Sequence, residues 1–109
     1  MIQVTVFQDS DKEYVGITLT GHAGYGEYGQ DIVCASVSAL VLNMANSVEH
    51  FTEDGFEGQV EEESGSFFFR FTTAISLESK LLMDSLILGL ENIKEEYGAQ
   101  YITIRFEEV

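Results

Sequence analysis

The chain has 109 residues, with 19 acidic against 5 basic side chains and a formal charge of -14. That is enough chain for one domain that buries its own core, and no linker, repeat or low-complexity stretch divides it, so residues 1-109 read as a single domain. A balance this acidic speaks against a nucleic-acid partner, because phosphate binding needs clustered Lys and Arg. It suits either solubility or the steering of a basic protein partner.

Ile2, Val4 and Val6 alternate with Gln3 and Thr5 and predict a first strand, and Asp9-Ser10-Asp11-Lys12 a turn. Val15, Ile17 and Leu19 repeat the alternation, so the two strands form a hairpin that delivers His22 to one end of a sheet. Gly21 to Ala35, GHAGYGEYGQDIVCA, follows with four glycines, one of the two histidines and the single cysteine. It reads as a strand exit, a glycine-rich loop and the first turn of a helix. The glycines at 24, 26 and 29 predict that the loop from Ala23 to Gln30 is mobile before substrate arrives; the competing expectation is a fixed loop whose glycines satisfy turns.

From Asp31 to about Phe51, Val33, Val37, Leu40, Val41, Met44 and Val48 recur at helical spacing on one broad face. Asp31 is a good N-cap, and Cys34 lies in the first turn, where the helix dipole and unpaired N-H groups favour a thiolate. An adjacent imidazole adds to that effect and makes the thiol a nucleophile at neutral pH. His22 is the candidate, since His50 is sixteen helical residues from Cys34, roughly 24 Å at 1.5 Å per residue. Asp31 is open to two roles, helix cap or orienter of His22. Ser38, one turn beyond Cys34, either touches the thiolate or a substrate carbonyl, or bonds to the backbone four residues back. The N-H groups of the first turn, that of Cys34 included, are placed to hold an oxyanion.

Glu53-Asp54-Gly55 ends the helix, and Phe56-Glu63 and Ser66-Thr73 predict a second hairpin turning at Ser64-Gly65. Phe67, Phe69 and Phe71 fall on one face of its second strand and Phe68 on the other. Ser76 to about Tyr97 predicts a second helix, capped by Ser76 and ended by Gly98. Its centre, LLMDSLILGL, is apolar over more than one face and predicts a homodimer contact. Tyr101-Phe106 is a last strand before an acidic Glu107-Glu108 tail. The order ββαββαβ fits an α+β, two-layer fold with two helices packed on an antiparallel or mixed sheet. No apolar run looks long and uncharged enough for a signal peptide or membrane span, and one cysteine makes no internal disulfide, so the expectation is a cytoplasmic protein with no membrane association.

Gly21-His22-Ala23, Gly29 with Asp31, Val33-Cys34-Ala35 and Val37-Ser38-Ala39-Leu40 resemble the signature of the ribosomal-processing cysteine protease family, Prp. Length and element order are similar to that family over the whole chain. The resemblance implies a bacterial cysteine endopeptidase that removes the N-terminal extension of protein twenty-seven of the large ribosomal subunit, with His22 and Cys34 as a catalytic dyad and no metal or other cofactor. It also implies cleavage after a pair of aromatic residues, hence an apolar groove, for which Tyr25, Tyr28 and Phe68 are the candidate substrate contacts. Two alternatives from other classes stand beside it: a thiol redox sensor, and a non-catalytic ribosome-assembly module that holds a basic ribosomal protein. A metal site from His22, Asp31 and Cys34 is a weaker alternative, because it lacks a recognisable close-spaced ligand pair.

Overall fold

A computed structural model describes residues 1-26, 31-61 and 63-109. The order is β1 (Ile2-Gln8), β2 (Tyr14-Thr20), α1 (Ile32-Phe51), β3 (Phe56-Glu61), β4 (Ser66-Phe71), α2 (Leu77-Tyr97) and β5 (Ile102-Glu108), as the hydrophobic periods predict. The strands form one mixed sheet in the order β3-β4-β2-β1-β5. β1 pairs antiparallel with β2 and parallel with β5, so the last strand lies beside the first. β5 runs through Glu107 and Glu108, which pair with Phe7 and Gln8; backbone pairing extends the strand beyond Phe106 into the acidic tail.

The pleat sets the two faces. Val4 stands opposite Leu19, Val6 opposite Ile17, Ile17 opposite Phe69 and Leu19 opposite Phe67, and all are buried. Both helices contribute to this core, α1 through Val33, Val37, Val41, Met44 and Val48, and α2 through Met83, Leu86, Ile87 and Leu90. Leu40 rests on Gly89, where a side chain would meet its Cδ1 at 2.8 Å, so the glycine inside α2 lets the two helices approach. The opposite face carries Thr18, Phe68 and Arg70, with Arg70 paired to Glu57 at 2.6 Å.

α1 corrects one expectation. At 20 residues and mean hydropathy 1.4 it is long and apolar enough to cross a membrane. Here its apolar face packs into the core instead. In α2, Ile87 is buried and Leu82 partly so, while Leu77, Leu81 and Leu88 remain exposed in one stripe.

The helix ends are held by side chains, as the sequence predicts. Ser76 caps α2 through the Ser79 N-H, and Gly98 closes it at φ 117°. Asp54, just past α1, accepts hydrogen bonds from the Ser76 N-H at 2.9 Å and from the hydroxyls of Ser76 and Ser79, tying the exit of α1 to the entry of α2. Those hydroxyls, Ser76 first, hold its carboxyl below the usual carboxylate range.

Candidate active site

A cleft of about 560 Å³ opens where the N-terminal half of α1 faces the exit of β2 and the β3-β4 hairpin. Cys34, Ser38, Val37 and Val41 form its helical wall, Gly21, His22, Gly24 and Gly26 its loop side, and Val60, Glu61 and Phe67 the hairpin side. His22 and Cys34, separated by the glycine loop in sequence, thus face one cavity. His50 lies at the far end of α1, its ring against Phe51.

Asp31 makes the helix start. One carboxylate oxygen accepts the N-H groups of Val33 and Cys34, each at 3.0 Å, and the other accepts the Tyr25 N-H at 3.1 Å. The cap therefore also tethers the beginning of the glycine loop. Burial pushes this carboxyl up, but the N-H groups of Cys34, Tyr25 and Val33 outweigh it and hold the group below its usual range.

This geometry reverses two expectations about Cys34. Its own N-H, proposed from sequence as an oxyanion donor, is already committed to Asp31. Its thiol, expected to be acidified at the helix start, is pushed up. Burial is the main cause; the Ala23 N-H opposes it, and the Asp31 carboxylate adds to the rise through a hydrogen bond and its charge. The cap that creates the helix start also sets a negative charge beside the sulfur. What faces the sulfur instead is the Ala23 N-H, which donates to Sγ at 3.1 Å.

Two glycines position His22. Gly21 sits at φ 88° against the Met1 carbonyl, and Gly65, at φ 67° in the β3-β4 turn, lies against Gly21 and the His22 ring. The ring Nε2 is 3.2 Å from the carbonyl oxygen of Glu63 in the same turn. The turn at Gly65 is legible in the sequence, but this contact joins residues more than forty apart and leaves no local signal.

The remaining candidates separate. Ser38 stands exposed in the cleft wall, one turn beyond Cys34; the serine that bonds four residues back is Ser36, to Ile32 at 2.7 Å. Tyr25, expected in the groove, turns instead onto α2 and the loop before β5, edge-on to Tyr97 at 5.3 Å and to Tyr101 at 5.1 Å. Phe68 lies on the sheet face opposite the helices, and the phenylalanine that lines the cleft is Phe67. Tyr28 falls outside the described residues, as does the loop segment 27-30. Among the described residues no three metal-ligating side chains converge.

A cysteine at the start of a helix faces a cleft shared with a histidine, and comparison with known proteins gives the class, a cysteine peptidase. The chain belongs to the family described as Cysteine protease Prp, whose profile matches residues 1-103. It is 37% identical to the ribosomal processing cysteine protease Prp of Bacillus subtilis, over 89% of this chain and 90% of that one. The protein of the same name from Staphylococcus aureus is 30% identical, over 90% and 92%. Two crystal structures of the S. aureus protease superpose on the fold. The one with a covalently linked product peptide has a TM-score of 0.91 at 28% identity, covering 98% of this chain and all of that one. The one with a substrate peptide has a TM-score of 0.86 at 27% identity, with the same coverage.

Proposed function

We propose that this protein is the endopeptidase that removes the N-terminal extension of large-subunit ribosomal protein twenty-seven in its bacterial host, with Cys34 as nucleophile and His22 as general base and acid. The observation that carries the reading is the shared cleft: the Cys34 sulfur, under the Ala23 N-H, opens onto the same cavity as the His22 ring. Membership of a family whose curated relatives are named ribosomal processing proteases supports a ribosomal protein as the substrate.

In the first step His22 takes the thiol proton and the sulfur attacks the scissile carbonyl; the S-C bond forms as the carbonyl pair moves onto oxygen. Collapse expels the amine, which receives the proton from His22, and water then hydrolyses the thioester. Burial, and to a lesser degree Asp31, push the thiol up and so favour its neutral form in the free enzyme. The Ala23 N-H supports first the thiolate and then the oxyanion, the role that the Cys34 N-H, held by Asp31, does not fill. Asp31 acts as cap and loop tether, and Ser38 as a polar group on the cleft wall within the reach of a bound peptide.

The acidic surface steers a basic ribosomal protein toward the cleft. The exposed Leu77, Leu81 and Leu88 stripe is covered by a second copy in a homodimer, which sedimentation at micromolar concentration tests. The work is cytoplasmic, where ribosomal proteins are made.

The test is the N-terminal sequence of the extended ribosomal protein before and after incubation. Processing that is lost in Cys34→Ala and in His22→Ala, both folded, and kept in His50→Ala is expected. No processing by the wild-type protein would return it to the binding-module reading, full processing by Cys34→Ala would displace Cys34 as the nucleophile, and full processing by His22→Ala would displace His22 as the base.

A further inference from the structure

β3 is an outer strand of the sheet, and its hydrogen-bonding phase is fixed by one bond, from the Thr72 N-H to the Gly55 carbonyl at 2.8 Å. In an antiparallel ladder with Phe56 opposite Phe71, that bond directs the N-H and C=O groups of Glu57, Gln59 and Glu61 toward β4. The groups of Phe56, Gly58 and Val60 therefore point outward, away from the sheet. Natural edges are commonly blunted by lysine or proline, and β3, FEGQVE, has neither.

β5 forms the other edge, but only the β3 edge runs into the cleft. Val60 and Glu61 are part of the cleft wall, and the Val60 side chain, 49% exposed, stands opposite Phe67 on the face that looks toward Cys34. An extended chain laid along this edge borders the same cleft that Cys34 lines.

We infer that the substrate docks by strand addition: its extended backbone pairs with the outward groups of Gly58 and Val60 on β3, continuing the sheet by one strand, while alternate side chains enter the cleft over Val60 and Phe67. This inference rests on the protease reading and adds how the peptide is held. Main-chain pairing supplies affinity that is indifferent to sequence, and the pockets for every second side chain supply selectivity. Gly58, with no side chain, leaves the middle of the edge open to a neighbouring backbone.

The experiment uses synthetic peptides spanning the junction between the extension and the mature ribosomal protein, N-methylated at one amide at a time outside the scissile bond. With the unmodified enzyme, methylation at every second amide is expected to lower kcat/KM at least fivefold, and at the intervening amides less than twofold. Val60→Pro, which deletes an outward N-H and leaves the bonds to β4, is expected to raise KM at least fivefold above that of Val60→Ala, which also alters the cleft side chain but keeps the N-H, with both variants melting near the wild-type temperature. Cleavage of the unmethylated peptide with no alternation along the scan overturns strand addition and leaves the protease reading standing. Failure to cleave the unmethylated peptide overturns both. If Val60→Pro does not fold, the methyl scan decides alone.

Discussion

Replacing Gly65 by alanine tests how His22 is held. The added Cβ would stand 2.5 Å from the Gly21 carbonyl oxygen and 3.0 Å from Cε1 of His22. The first gap is about 1 Å short of an ordinary contact, and the obstacle is backbone, so the β3-β4 turn and the Gly21-His22 segment must separate. The φ of 67° adds roughly 1-2 kcal/mol for a residue with a Cβ. A catalytic group displaced by about 1 Å costs on the order of 100-fold in rate, or about 2.7 kcal/mol of barrier. Gly65→Ala is therefore expected to lose roughly 100-fold in kcat/KM and about 1-3 kcal/mol of stability, read by peptide cleavage and by urea unfolding. Gly65→Asn separates the two causes, since asparagine tolerates the left-handed conformation yet carries the same Cβ: stability should partly return and activity should not. Wild-type cleavage by Gly65→Ala at wild-type stability would refute the claim that this turn sets the imidazole.

Alkylation of Cys34 in the free enzyme should rise with pH to a midpoint above the ordinary thiol value of about 8.5, and Asp31→Asn should move that midpoint down by removing the neighbouring charge; a wild-type midpoint below about 7 would show a preformed thiolate-imidazolium pair. Asp54 has a folded-state pKa below its unfolded value, so its stabilisation is complete above about pH 4-5 and is lost as pH falls through the folded value. Urea unfolding should show Asp54→Asn about 1-2 kcal/mol less stable than wild type at pH 7, the difference shrinking below pH 3; a constant difference would rule out linkage through this carboxyl. Tyr25→Ala removes two edge-to-face ring pairs worth about 0.5-1.5 kcal/mol each and loosens the segment that presents the Ala23 N-H to Cys34. It should lower kcat several-fold, and unaltered kinetics would dissociate the aromatic clip from the site.

What was legible in the sequence was local. Alternation and helical period identified all seven elements, and Asp31, Ser76 and Gly98 marked helix ends because caps act within a few residues. The hairpin pairings are local, but the pairing of β1 with β5 and of β2 with β4 is not legible, since nothing near Ile2 in sequence specifies Ile102 as its partner. The same limit explains the aromatic assignments. Tyr25 turns toward Tyr97 and Tyr101, which lie more than seventy residues away in the chain. Alternation places Phe67 on the core face, where it is buried, and does not reveal that the same residue also lines the cleft. At Cys34 the helix dipole is only part of the local field, because the capping carboxylate takes the N-H and adds a charge beside the thiol.

The parallel pairing of β1 with β5 bears on how the chain reaches this state. Thr5 and Arg105, 100 residues apart, meet across that ladder, so its closure carries nearly the full loop entropy of the chain and belongs late in folding. The two hairpins and α1, which build the cleft, all precede α2 and β5 in the chain. Until β5 arrives, β1 is an open edge with Ile2, Val4 and Val6 on its core face. A nascent or partly unfolded molecule therefore carries two open strand edges, on β1 and β3, and its tendency to self-associate should track the docking of β5 rather than the integrity of the cleft end.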